Sequence, residues 1–284
     1  MGRALLGLSL GRWHTNNNTP PTFSTSCVCA LVSFVALVQL VRIQLRVPEY
    51  GWTTQKVFHL LNFLCFAAYA AALGLWEVAD RWHHSDSGGL QFAALAFTEV
   101  PGLLFLTTYT LLVLFWAEIY HQARSHPLTW LKPAFVICNA VIYAVQILLW
   151  VLQSVLDKTH RQHQITSIAS TAFEASVQFA AAMSFIVYGS LLFSMLYRFP
   201  IESKGRQKKL REVGSVAVVC SITFGLRTAA QVVYYLVLDL DPFKQPWAIL
   251  GYITGCSLLP ALFVLVMLRK LPPKKSSAGY QPIG

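Results

Sequence analysis

Long apolar runs separated by short polar connections set the pattern of this chain. Within the runs polar and apolar positions do not alternate, which argues against half-buried strands and against a β-barrel. Each run is about 20 residues or more, enough for a helix to cross a ~30 Å hydrocarbon core. The pattern predicts spans near residues 24–44, 55–76, 99–120, 131–153, 172–197, 212–238 and 246–269. Chain breakers fall between the runs or at their ends, at Pro48, Gly88-Gly89, Pro127, Pro200, Gly205, Pro242 and Pro272-Pro273. Pro260 lies inside the last run, where a kink is expected and tolerable. The predicted fold class is an all-α polytopic membrane protein, a seven-transmembrane helix bundle over residues 24–270. A polar segment at 1–23 precedes it and a tail at 271–284 follows. The connections are too short to hold a soluble domain, and the absence of an internal repeat weighs against an inverted-repeat transporter.

Composition agrees with this class. The chain has 284 residues, 55% hydrophobic and 12% charged, with mean hydropathy +0.52; a soluble domain carries about twice that charge. Net charge is +10 and the pI about 9.4. No nucleic-acid recognition motif accompanies the charge, so direct nucleic-acid binding is not expected. The basic residues are instead sorted by topology. The first, third and fifth connections and the C-terminal end hold Arg42, Arg46, Lys56, Arg124, Lys132, the Arg198–Arg211 block, Arg269, Lys270, Lys274 and Lys275. The opposite side holds only Arg3, Arg12, Arg81, Lys158, Arg161 and Lys244. This asymmetry places the C-terminus in the cytosol and the N-terminus in a lumen or outside. The six cysteines all fall in apolar runs, which suggests small packing residues rather than a disulfide framework or a zinc knuckle.

The largest cytosolic charge is the stretch RFPIESKGRQKKLREVG. It sets Arg198, Lys204, Arg206, Lys208, Lys209 and Arg211 against Glu202. Such a block can dock a protein or lie on anionic lipid headgroups; each basic residue near an anionic surface contributes about 1 kcal/mol, and salt weakens the sum. It can equally serve only as a stop-transfer flank. Inside the membrane, Arg227 lies mid-span, where an ionisable side chain is costly and is expected to face the bundle interior. Glu99 and Glu174, near the expected lumenal starts of the third and fifth spans, are at the height its side chain can reach. A buried Arg227–carboxylate pair is therefore expected. In the alternative, the acids sit at helix N-termini and Arg227 snorkels to water.

Glu118, His121 and Arg124 close the third span and suggest a cytosolic cap on the bundle. His83, His84 and Asp86, with His160 and His163, face one compartment and could bind Zn²⁺ or titrate in an acid lumen, but their loose spacing reads as solvated loop histidines, and no metal site is expected. No nucleophile–base pair, glycine-rich phosphate loop or carboxylate dyad stands out, so neither enzymatic activity nor a cofactor is expected. Tyr280 and Ile283 fit a tyrosine-x-x-bulky-apolar sorting signal, for which a disordered tail is the alternative. Asn17 stands in a glycosylation sequon close to Pro20 and the bilayer.

Three stretches are similar to the plant tobamovirus multiplication protein family: VQLVRIQLRVPEYGWTTQKVFHLLNF (Val38–Phe63), PGLLFLTTYTLLVLFWAEIYHQARS (Pro101–Ser125) and RFPIESKGRQKKLREVG (Arg198–Gly214). LRKLPPKKSSAGYQPI (Leu268–Ile283) resembles that family's C-terminal end. The resemblance implies a seven-span protein of the vacuolar membrane, the tonoplast. It further implies a host factor for tobamovirus RNA replication, binding the viral replication protein and anchoring it to that membrane. Host membrane proteins or small-GTPase-type proteins are further partner classes. Two other functions stay open on the residues alone. One is receptor-like signalling, although AEIYHQAR replaces the acid-Arg-aromatic triplet of G-protein-coupled receptors and Asn-Pro-x-x-Tyr is missing. The other is transport of a small solute or ion.

Overall fold

The computed structural model describes residues 21–46, 53–85, 87–125, 127, 129–156, 160–198, 204–233 and 246–267. The elements among them are helical: α1 (Pro21–Arg46), α2 (Thr54–Gly74), the short α3 (Trp76–His83), α4 (Gly88–Ala123), α5 (Leu131–Leu156), α6 (His160–Arg198), α7 (Lys204–Gln231), α8 (Pro246–Ile253), a π-helical turn (Thr254–Leu258) and α9 (Leu259–Met267). Six helical stretches are long and apolar enough to cross a membrane, in α1, α2, α4, α5, α6 and the α8–α9 unit. This is a multi-pass membrane protein. The helix of the expected sixth span is present as α7, but it starts in the basic block and carries Arg227 and Gln231, which lower its apolar character. Residues 234–245, which hold the rest of that expected span, lie outside the described residues.

Two helices begin well before their apolar runs. The third span was expected from residue 99, yet α4 starts at Gly88; the fifth was expected from 172, yet α6 starts at His160. Hydropathy marks only the part of a helix that meets hydrocarbon, and the polar opening HRQHQITS of α6 is invisible to it. The pattern marks Gly88 as a chain breaker, but in the fold it has a packing role. A Cβ there would stand 2.9 Å from the Ser154 carbonyl oxygen, so glycine lets α4 open flush against the end of α5. Gly205, expected in a connection, is likewise the second residue of α7.

Helix α4 is the central pillar, packed against α2, α3, α5 and α6, with α7 beside α6 and α1 beside α2. Hydroxyls stitch α1 to α2: Ser26 Oγ donates to the Ala70 carbonyl at 2.7 Å and Ser33 Oγ to the Phe63 carbonyl at 2.9 Å. In a membrane, where apolar burial drives little association, such close backbone approaches do the holding. Gly189 of α6 is another, since a Cβ there would fall 2.7 Å from the Ala217 Cβ of α7. Between α4, α6 and α7 lies an aromatic core. Phe105 and Tyr109 have ring centroids 4.4 Å apart, Phe185 stacks on Phe224 at 5.7 Å, and Trp116 meets Phe185 edge-on at 5.6 Å.

The kink expected at Pro260 takes a specific form. Proline has no N–H for its helical partner, and its ring crowds the carbonyl four residues back. The preceding turn, Thr254–Leu258, widens to π geometry, and the Leu259 N–H bonds the Thr254 carbonyl five residues back. Ser257 of this turn is fully buried in the bundle.

Candidate functional site

Arg227 faces the bundle interior as expected and is only 2% exposed. Its partner is not a carboxylate. Nη1 donates to Ser257 Oγ in the π turn at 2.7 Å, and Tyr69 Oη stands 3.4 Å from the same hydroxyl. The guanidinium carbon lies 4.7 Å from the Phe105 ring centroid and 4.9 Å from that of Tyr252. A planar, weakly hydrated cation between two aromatic faces is a favourable way to bury charge. The expected Arg227–carboxylate pair is thus replaced by a serine and two rings. The reason is rotational: the widened turn carries Ser257 inward at the height of Arg227, nearer than either acid.

Glu99 and Glu174 instead meet each other. They do not sit at helix starts but about three and about four turns into α4 and α6. Trp150 Nε1 of α5 donates to Glu99 Oε2 at 2.5 Å. Gln146 Nε2, one turn earlier on α5, donates to the same oxygen at 2.7 Å, contacts Ser170 Oγ at 3.2 Å and reaches Glu174 Oε1 at 3.5 Å. Gln231 Nε2 of α7 donates to Glu174 Oε2 at 2.5 Å. Arg227 and Gln231 are four residues apart, so one face of α7 sends Arg227 to the π turn and Gln231 to the acids. Among the described residues no ion pair joins Arg227 to either acid.

The glutamines were missed in the sequence, although a glutamine inside an apolar run such as VIYAVQILLW is as conspicuous as a charge. Ser257, Tyr69, Phe105 and Tyr252 gave no comparable signal, because residues of these types are common in helix packing.

At the opposite end, α4 and α6 finish and α5 and α7 begin. The expected cap is partly assembled there. Glu118 approaches Lys132 of α5 at 3.8 Å, with side chains 17% and 75% exposed. Arg124 lies over the Tyr120 ring at 5.1 Å rather than on Glu118. His121 Nδ1 is 2.9 Å from the Ala117 carbonyl, and its ring meets Trp130 at 6.1 Å. The basic block occupies the same end. Arg198 closes α6, and the backbone is helical from Lys204 through Arg206, Lys208, Lys209 and Arg211, continuous with the apolar part of α7. Side chains of this block, and Glu202 altogether, lie outside the described residues, as do Asn17, Asp86, Tyr280 and Ile283. His83 and His84, expected in a loop, stand at the end of α3. His84 Nδ1 is 2.9 Å from the Asp80 carbonyl and 3.3 Å from its carboxylate. His160 and His163 belong to the first turn of α6, their side chains outside the described set.

Comparison with known proteins places the chain in one family. Residues 13–284 match the THH1/TOM1/TOM3 domain. The chain is 46% identical to Tobamovirus multiplication protein 1 of Nicotiana tabacum over 263 residues, covering 92% of this chain and 88% of that protein. It is 48% identical to Tobamovirus multiplication protein 1 of Arabidopsis thaliana over 256 residues, covering 89% and 84%. With Tobamovirus multiplication protein 3 of Nicotiana tabacum it shares 44% identity over 255 residues, covering 89% and 83%. No solved structure matches. On a domain match over nearly the full chain and relatives far above the level of chance likeness, this protein is a member of the THH1/TOM1/TOM3 family.

Proposed function

We propose that this chain is a non-enzymatic tethering protein of the vacuolar membrane that serves as a host factor for tobamovirus multiplication, holding the viral replication protein on its cytosolic face. The carrying observation is family membership: the relatives named Tobamovirus multiplication protein align over about nine-tenths of the chain. In this reading α7 is a seventh span, the N-terminus is lumenal and the C-terminus cytosolic, following the positive-inside asymmetry.

The docking surface is Arg198–Arg211. Its basic positions from Lys204 onward belong to a helix that continues into the membrane part of α7, so they sit on a rigid support rather than on a free loop. Lys204, Lys208 and Arg211 recur at i, i+4 and i+7. Such a row suits an acidic protein surface, and anionic headgroups beside it reinforce the attachment. The test is capture of a tobamovirus replication protein by the detergent-solubilised full chain. Replacing Lys204, Arg206, Lys208 and Lys209 by Gln should lower capture several-fold at equal expression, and salt should weaken wild-type capture. Unchanged capture by the quadruple variant contradicts the assignment of the surface.

A further inference from the structure

The Glu99–Glu174 cluster holds more oxygen acceptors than its own donors can serve. Each glutamine has turned its N–H toward a carboxylate, which leaves its amide oxygen in the same cluster. Gln146 is 0% and Gln231 8% exposed, and the Oε1 atom of each has no hydrogen-bond partner among the described residues. A buried acceptor left without a donor costs about 1–3 kcal/mol. Rotating either amide would only bring its oxygen against a carboxylate. Neither acid forms an ion pair among the described residues. The Arg227 guanidinium is held by Ser257, Phe105 and Tyr252 and not by either acid. The missing component is a small positive charge that takes oxygen ligands.

We propose that Glu99, Glu174, Gln146, Gln231 and Ser170 form a binding site for an alkali-metal cation inside the helix bundle. Carboxylate, amide and hydroxyl oxygens are ligands for hard cations, and no thiol or imidazole belongs to the set. Two carboxyl groups in hydrogen-bond contact hold one proton between them and leave one negative charge, which a monovalent ion neutralises. Glu99 and Glu174 are partly buried and Gln146 fully buried, so the cluster lies inside the bundle. The ligands come from α4, α5, α6 and α7, so a bound ion ties four helices together. Binding therefore stabilises the folded bundle by mass action.

The experiment is thermal unfolding of the full-length protein in nanodiscs, titrated with NaCl or KCl against choline chloride at constant ionic strength. Parallel titrations use CaCl₂ and MgCl₂. The wild type should show a saturable rise in Tm of a few degrees with Na⁺ or K⁺ and little response to choline. Glu99→Gln combined with Glu174→Gln should lose that rise, and Glu118→Gln, at the other end of the bundle, should keep it. Because the wild type alone reports the response, the proposal stays testable even if the double variant does not fold. Ser170→Ala, which weakens the site without touching a charge, should move the midpoint to higher salt. No alkali-specific rise in the wild type overturns the proposal. A response to divalent ions alone overturns it as well. So does a rise produced only by lowering pH, which assigns the position to a proton. A rise retained in a folded double variant places the ion elsewhere and equally overturns it.

Discussion

Substitution of Arg227 separates two physical accounts of the membrane core. In the observed geometry the side chain contributes one charge-assisted hydrogen bond, to Ser257 at 2.7 Å, and two ring contacts at 4.7 and 4.9 Å. The bond is worth about 1.5–3 kcal/mol and each desolvated cation–π contact about 1–2 kcal/mol. Against them stands the cost of keeping a charge 2% exposed, several kcal/mol per ion. Arg227→Lys retains the charge and its burial but loses the flat face that stacks on Phe105 and Tyr252. It should destabilise by about 2–4 kcal/mol. Arg227→Met loses the bond and the stacking but also removes the buried charge, and Ser257 keeps Tyr69 as a partner. It should cost less, about 1–2 kcal/mol. The predicted order of stability is wild type, then Met, then Lys, read from unfolding in mixed micelles with increasing SDS. A direct ion pair with Glu99 or Glu174 requires the reverse order, since lysine could still pair while methionine would strand an acid. Lysine matching wild type, with methionine the least stable, would refute the account.

Three other outcomes follow from the packing and the polar contacts. Gly189→Ala places a methyl group 2.7 Å from the Ala217 Cβ, so α6 and α7 must separate, at about 1–3 kcal/mol; Gly102→Ala, whose Cβ meets only Arg227 Nη2 at 3.7 Å, should fold like the wild type in the same unfolding assay. Trp150→Phe removes a donor from Glu99 Oε2 and should lower stability by about 1.5–3 kcal/mol, with Glu99→Gln largely restoring it in a double-mutant cycle. Glu118→Gln breaks only the 3.8 Å approach of the exposed Lys132 and should cost no more than about 0.5 kcal/mol. A loss above about 2 kcal/mol would show that the cap is a buried network after all.

The residues made the class and the burial of Arg227 legible, because both rest on the cost of polar atoms in hydrocarbon, and that cost depends on composition and depth alone. Partners were less legible. Sequence position gives a side chain its height in a span but not its direction around the helix axis. Glu99 and Glu174 were at a suitable height for Arg227 and yet face each other across Gln146. The direction of Ser257 depends on the π turn ahead of Pro260, and a proline signals a distortion without specifying which carbonyls take part. Helix starts were misplaced for a different reason. Gly88 serves close packing here and serves turns elsewhere, and only its neighbour, the Ser154 carbonyl, distinguishes the two uses. The basic block was legible as charge, and its helical continuity with α7 was not, because Gly205 disfavours a helix on propensity and the connection to the apolar run supplies the compensation.

The tethering assignment is tested most directly by tobamovirus RNA accumulation in plant cells that lack the endogenous family members. The cells are complemented with this protein or with its Lys204, Arg206, Lys208 and Lys209 to Gln variant at equal expression in the vacuolar membrane. The account predicts that the wild type restores accumulation and the variant does not. Full restoration by the variant would contradict the placement of the docking surface on Arg198–Arg211, and failure of the correctly placed wild type would contradict the host-factor function itself.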